Sequence, residues 1–246
     1  MIKFMPVWKP RPGRTRGECL DHFRYEHSRL ACSVPEFHRH MNKYVQNFVL
    51  DDLQAQGGFS TTWAGIAENW FYSLEGFFDA FAEPGYAVFR EDEKRFVDMD
   101  DLLLVAANPY FVFAPSNDRH FKLFRFGYFK QASNAVAARK FWETTYAAAV
   151  AMEHSLRTVA RAYVQNRRVE FAHTFPVARS CDTVDEFWLD SLDGVPELLR
   201  IEQDIRDRVG YDKIMQVSSQ ISVVTEAKVL WDLGEDPKVG LSRIRR

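Results

Sequence analysis

Tyr44-Val45-Gln46-Asn47 recurs as Tyr163-Val164-Gln165-Asn166, at an offset of 119 residues, 163 less 44. The same offset carries Lys3 onto Lys122 and Phe23 onto Trp142. Farther on, Glu68, Trp70, Ser73 and Leu74 match Glu186, Trp188, Ser191 and Leu192 at an offset of 118, so one residue is dropped in between. Matches in one order, at nearly one offset and across three segments, indicate a duplicated unit rather than chance.

Working outward from the repeat, each copy reads β-α-β-β-α-β. Residues 2–9 suit a strand, with Pro6 favouring an edge or a bulge. Pro10-Arg11-Pro12-Gly13 breaks the chain, and Thr15-x-x-Glu18 has the spacing of a capping box. Leu20, Phe23, His27, Leu30 and Ala31 then form one helical stripe with a histidine in it, stopped by Ser33-Val34-Pro35. Residues 40–50 read as the second strand, with Tyr44 and Gln46 on one face and Val45 and Asn47 on the other. Gly57-Gly58 marks a loop, 63–72 a third strand, 74–81 the start of a helix broken at Pro84-Gly85, and 102–113 a fourth strand. The second copy repeats the order with strands 121–130, 159–171, 182–189 and 218–231 and helices 133–156 and 192–208. Ala114-Pro115-Ser116-Asn117 is the natural linker. The expected fold is α+β: two β-α-β-β-α-β modules, residues 1–113 and 120–232, with a tail at 233–246. Their antiparallel sheets, pressed together, would enclose a lumen of mixed lining that serves as a binding cavity.

Composition narrows the function. The 246 residues carry a formal net charge of −2, without the basic excess that phosphate binding demands, and the one basic cluster is Arg243, Arg245 and Arg246 in the tail. Cys19, Cys32 and Cys181 are widely spaced and odd in number, which fits a reducing compartment rather than a disulfide framework or zinc site. The N-terminus lacks the apolar stretch of a signal peptide, and no segment approaches the ~20 apolar residues of a membrane span. A cytoplasmic protein with neither nucleic-acid nor membrane partner is expected. Aromatic residues make up 15% of the chain, enough to fill a core or to line a pocket for a flat apolar ligand. There is no Gly-rich phosphate loop, no nucleophile elbow and no dinucleotide fingerprint.

Phe23-Arg24-Tyr25-Glu26-His27, the following Pro35, Tyr44-Val45-Gln46-Asn47 and the run Ala64 to Leu74 resemble the signature of EthD-like proteins. Asp92-Glu93 before Phe96-Val97-Asp98 resembles the same family, as does Asp182-Thr183-Val184-Asp185-Glu186-Phe187-Trp188 in the second copy. The resemblance implies ferredoxin-like modules whose sheets pair into an α/β barrel. Family members are usually single modules that dimerise; here one chain would supply both halves and act as monomer or homodimer. Related barrels include cofactor-free monooxygenases, cyclases, decarboxylases and some haem proteins, many acting on aromatic or unsaturated carbonyl compounds. No histidine here lies in a haem-attachment motif, and no cofactor is expected.

His27 matches the histidine that ends the family's first-helix motif, and imidazole is the natural proton carrier near neutral pH. Burial on the apolar stripe would favour the neutral ring, ready to act as a base. The alternative is a buried histidine that anchors its helix. Tyr146 stands at the corresponding place in the second copy, which would make that copy a structural partner. Tyr44, with Gln46, Tyr163 and Gln165, would line the lumen and bond a substrate carbonyl, or form a structural network. Glu68 would relay protons with His27, and Trp70 and Tyr146 would contact substrate. His38 and His40 form an H-x-H without a third ligand, so they are read as surface histidines at a strand entrance, and His22 as exposed; no metal is expected. The function expected is a cofactor-independent enzyme on an aromatic or unsaturated carbonyl compound, doing proton-transfer chemistry of lyase type: decarboxylation, dehydration or cyclisation. The alternatives are a cofactor-free monooxygenase of phenols and a non-catalytic binder of a hydrophobic small molecule.

Overall fold

The computed structural model describes residues 1–51, 59–60, 62–114, 120–169 and 179–233. The Gly57-Gly58 loop, Pro115 to Asn117 of the linker, His173 and the arginine tail lie outside the described residues.

Eight strands form one closed antiparallel barrel: β1 (Ile2–Trp8), β2 (Met41–Val49), β3 (Gly65–Phe71), β4 (Leu103–Phe113), β5 (Phe121–Gly127), β6 (Ala160–Arg168), β7 (Thr183–Leu189) and β8 (Ile221–Asp232). Around the barrel the order is β1-β3-β2-β8-β5-β7-β6-β4. Each half contributes four neighbouring strands in the same relative order, and the halves meet edge to edge at β2–β8 and β4–β6. The sheets therefore close on one another through hydrogen-bonded edges rather than by stacking face to face. Closure leaves neither sheet an unpaired edge. Pro6 lies in a strand paired on both sides, but the β1–β3 ladder skips from Phe4–Asn69 to Val7–Ile66 and so asks no donor of it.

The first helix of each half contains a π-helical turn, a feature that the periodicity does not predict. In the first half α1 (Arg16–Asp21) runs through the π-turn His22–His27 into α2 (Ser28–Ser33). The expected capping box starts it: Thr15 N–H donates to Glu18 Oε2 at 2.8 Å and Glu18 N–H to Thr15 Oγ1 at 3.2 Å. Next come α3 (Pro35–His40), α4 (Leu74–Ala82) and α5 (Pro84–Glu93), the last two separated at the expected Pro84 break. In the second half α6 (Ala135–Lys140), the π-turn Phe141–Tyr146 and α7 (Ala147–Met152) form the first helix. There α8 (Leu156–Val159) precedes β6, and α9 (Val195–Val209) ends at Gly210, whose φ of 70° suits a residue without a side chain. No helix among the described residues is long and apolar enough to cross a membrane.

Among the described residues, strand alternation sends apolar side chains either to the helices of one half or into the barrel. Phe4, Trp8, Tyr44, Phe48 and Phe71 face the helices of the first half, and Leu123, Tyr163, Phe187 and Val224 those of the second. Met5, Val7, Ile66, Val105, Phe124, Val184 and Val223 point into the barrel. Eight strands leave an interior just wide enough for side chains to fill. The expected open lumen is therefore corrected: beside these apolar groups the interior holds Lys3, Lys122, Glu68 and Glu186, each at most 2% exposed.

Candidate functional site

A π-turn frees main-chain carbonyls from the helical ladder, and here the repeat residues receive them. Gln46 Nε2 donates to Phe23 O at 2.6 Å, and Gln165 Nε2 donates to Trp142 O at 2.7 Å. The two glutamines, placed by sequence reasoning in a ligand-binding lumen, instead face the helices and clamp equivalent turns. The asparagines beside them face inward, where Asn47 Nδ2 donates to Glu68 Oε1 at 2.9 Å and Asn166 Nδ2 to Glu186 Oε2 at 3.0 Å.

His27 closes the first π-turn, 2% exposed and packed with its ring 4.1 Å from the ring of Phe89. Its Nδ1 lies 2.8 Å from Asp92 Oδ2 on α5. Burial raises the Asp92 carboxyl, but the hydrogen bonds to His27 and His22 outweigh it and hold Asp92 below its ordinary value. A carboxylate accepts only, so it selects the Nδ1–H form of a neutral His27 and leaves Nε2 with its lone pair. Among the described residues no protein atom bonds that nitrogen.

His27 lines a cleft between the first-half sheet and its helices, with an empty volume of about 770 Å3 counted with the open space at its mouth. Phe4, Trp8, Phe81, Phe89 and Phe96 supply aromatic walls; Tyr44, Asn69, Arg90 and Glu93 supply polar atoms. Arg90 Nη1 donates to Glu93 Oε2 at 2.7 Å. Tyr44 is 1% exposed, and no protein atom meets its hydroxyl in hydrogen-bonding geometry, although Gln46 lies close by. Burial pushes the phenol far above its ordinary value, so the group is a donor and not a base. A buried hydroxyl without a partner costs about 1–3 kcal/mol, a cost that an acceptor on a bound ligand would relieve.

The structure does not bring Glu68 or Trp70 to His27. Both alternate inward on β3, on the opposite face of the sheet from the cleft. Glu68 lies 2.5 Å from Lys122 Nζ and 2.8 Å from Lys3 Nζ, and Glu186 contacts the same two ammonium groups, Lys122 at 3.1 Å. Burial raises the Glu68 carboxyl, but Lys122 and Lys3 more than reverse this, so Glu68 is a fixed carboxylate. The Trp70 ring stacks 4.6 Å from Lys3 Nζ. The four charges balance and bridge both halves, a structural role.

The second half has filled the corresponding space. Tyr146, fully buried, donates to Glu202 Oε1 at 2.9 Å, and that carboxylate also meets Arg206 at 2.8 Å and Arg125 at 2.7 Å. Asp185 stands opposite Gln165 in the strand register as Ala67 stands opposite Gln46. The Tyr163 hydroxyl donates to Asp185 Oδ1, as does Trp142 Nε1 at 2.9 Å. Burial raises the Asp185 carboxyl to about 6, with Glu202 adding to the rise and the Tyr163 and Trp142 hydrogen bonds opposing it. In the second half these polar groups pair with one another and take up the space around Tyr146.

Three histidines stand elsewhere than their spacing suggested. His38 and His40 lie on α3, with His38 8% exposed against Trp231 and His40 Nε2 3.1 Å from Glu83. His22 is not a free surface residue: its Nε2 lies 3.0 Å from Asp92 Oδ1. Among the described residues no group of three His, Cys, Asp or Glu is arranged to hold a metal. Asp92 is the residue that sequence reasoning left without a role. It stood in the family-like Asp92-Glu93 run, but 65 residues separate it from His27.

Residues 11–100 match the family model described as the EthD domain. No curated protein matches the chain. Among solved structures, an anthrone oxidase-like protein aligns with a TM-score of 0.58 at 9% identity, covering 93% of either chain. A Lactobacillus acidophilus NCFM protein provisionally assigned as a monooxygenase aligns at 0.54 and 9% identity, covering 93% of this chain and 94% of its own. A mutant chlorite dismutase from Candidatus Nitrospira defluvii aligns at 0.52 and 9% identity, covering 100% and 96%. At these identities the shared property is the dimeric α/β-barrel fold.

Proposed function

We propose, from a first half that carries an EthD domain within a dimeric α/β-barrel fold, that the chain is a small-molecule enzyme whose chemistry begins with proton abstraction by His27. The modules are residues 1–113 and 120–232, the first catalytic and the second its structural partner, with 233–246 a tail. The observation that carries the reading is a histidine oriented by a buried carboxylate, its other nitrogen unbonded, on an aromatic cleft that also holds an unpartnered tyrosine hydroxyl. A flat carbonyl compound in that cleft would lose a proton from an activated carbon to His27 Nε2. The C–H electron pair moves toward the carbonyl, and the Tyr44 hydroxyl donates to the oxygen where charge develops. Asp92 steadies the imidazolium that forms. From the enolate, expulsion of a leaving group that takes the proton from His27 completes a dehydration, and attack of the enolate carbon on a second carbonyl of the same molecule, whose oxygen then takes that proton, completes a cyclisation. Free thiols among the three cysteines suit the cytoplasm.

A second reading, favoured by the names of the anthrone oxidase-like and monooxygenase neighbours, has molecular oxygen take electrons from the same carbanion or phenolate. Anthrone is a suitable test compound for both, because its methylene is acidified by the ring carbonyl. The full chain in deuterated buffer should accelerate methylene exchange over buffer alone; no acceleration with any flat aromatic ketone leaves a binding protein. Oxygen uptake during turnover selects the oxygenase branch, and turnover without it the lyase branch.

A further inference from the structure

We propose that His22 is a positioning residue for His27, acting through the carboxylate they share; this rests on the reading of His27 as the base. Asp92 separates two spaces. On one side His27 lines the aromatic cleft, and on the other His22 and Asp92 line a surface groove with Arg14, Glu26, Glu91 and Arg95. Each carboxylate oxygen has one histidine: Oδ2 is 2.8 Å from His27 Nδ1 and Oδ1 is 3.0 Å from His22 Nε2.

A carboxylate held by one oxygen can turn about its Cβ–Cγ bond and offer the bound oxygen to groove water. Held by both, its plane is fixed, and Oδ2 stays on the line of His27 Nδ1–H. That bond decides which ring nitrogen of His27 carries the proton. His22 is itself fixed, its ring stacked 5.0 Å from Phe96 at 24°, and the same Phe96 ring packs edge-on against His27 at 5.0 Å. One phenyl ring thus spaces the two imidazoles that grip Asp92.

The second half supplies an internal comparison. The positions that correspond to His22 and His27 are Phe141 and Tyr146, the first and last residues of the equivalent π-turn. Both histidines are missing together from the half whose cleft is filled. Its carboxylate, Glu202, is held by arginines instead. A histidine that served only to pack or cap the π-turn would have no reason to vanish with its partner.

The test reads the imidazole nitrogens of the 15N-labelled full chain by NMR, without any ligand. In the unsubstituted protein His27 should show a protonated Nδ1 and a bare Nε2. His22→Phe keeps a ring on Phe96 and deletes the donor, so the His27 Nε2–H form should grow at least several-fold. His22→Gln, which restores a donor, should return the ratio toward its starting value. An unchanged His27 tautomer in His22→Phe overturns the proposal. If His22→Phe does not fold, Asp92→Asn replaces it: the ring N–H signals of His22 and His27 should both move, and movement of His27 alone overturns the proposal. Because these readouts need no substrate, they stand apart from the activity itself. If the methylene exchange is catalysed, His22→Phe should lower kcat about 10-fold and leave KM nearly unchanged; a change in KM alone also overturns the proposal.

Discussion

His27 and Tyr146 each close a π-helical turn, and each bonds a carboxylate on a later helix of its own half: His27 Nδ1 lies 2.8 Å from Asp92 Oδ2, and Tyr146 donates to Glu202 Oε1 at 2.9 Å. The shared scaffold gives opposite outcomes. Glu202 is tied to Arg125 and Arg206, while Asp92 meets only histidines among the described residues. One half keeps a histidine–carboxylate pair beside an aromatic cleft; the other uses the same positions for a network of paired charges.

Tyr44 and Tyr163 occupy matching strand positions but should respond differently to loss of the hydroxyl. Tyr44→Phe removes a buried group without a hydrogen bond, so unfolding free energy should rise or change by less than about 1 kcal/mol, while catalysis falls. Tyr163→Phe takes a donor from buried Asp185 and should cost roughly 1–3 kcal/mol. Urea unfolding of both variants checks this, and equal destabilisation would show that the Tyr44 hydroxyl has a partner in the folded chain.

Asp185 makes the second half sensitive to pH. Its folded carboxyl is raised to about 6 from the 3.8 of an exposed aspartate, so the folded state binds more protons between those values. Stability is favoured below the lower value and is lost as pH rises through about 6. Asp185→Asn stays neutral and should remove this dependence, with a gain of up to roughly 3 kcal/mol at pH 7. Melting curves between pH 5 and 8 measure it. A pH profile unchanged by Asp185→Asn would contradict the assignment.

The interior quartet should respond to its pairing rather than to its charge. Glu186→Gln leaves Lys3 and Lys122 to share one carboxylate and should cost about 3–5 kcal/mol, the range for breaking a buried pair. Removing a lysine and a glutamate together, as in Lys3→Met with Glu186→Leu, should cost less than Glu186→Gln alone. Denaturant unfolding of the single and double variants decides it. Strictly additive losses would show that the charges act independently.

The tandem architecture was legible because duplication leaves pairs such as Lys3 with Lys122 and Tyr44 with Tyr163 at nearly constant spacing. Alternation also placed Tyr44 and Gln46 on one face. It could not say which face was the barrel interior, because both faces are buried and carry aromatic and polar groups alike. Glu68 was misplaced for that reason. It is a polar residue in a strand, and only the cross-barrel approach of Lys122 at 2.5 Å explains it. The π-turns were hidden because one extra residue per turn barely disturbs a helical stripe, and Asp92 was hidden by its distance along the chain from His27. The matching places of His27 and Tyr146 were legible from the 119-residue offset, and each closes the π-turn of its half.

The cleft of the first half is proposed as the sole place of proton transfer. The direct measurement compares His27→Ala with Tyr146→Phe in the methylene-exchange assay, each variant first checked for an unchanged melting temperature. His27→Ala should lower the catalysed rate by at least ~100-fold, the lower end of what a general base contributes, and Tyr146→Phe should change it little. Full activity in His27→Ala, or equal losses in the two variants, would contradict the account.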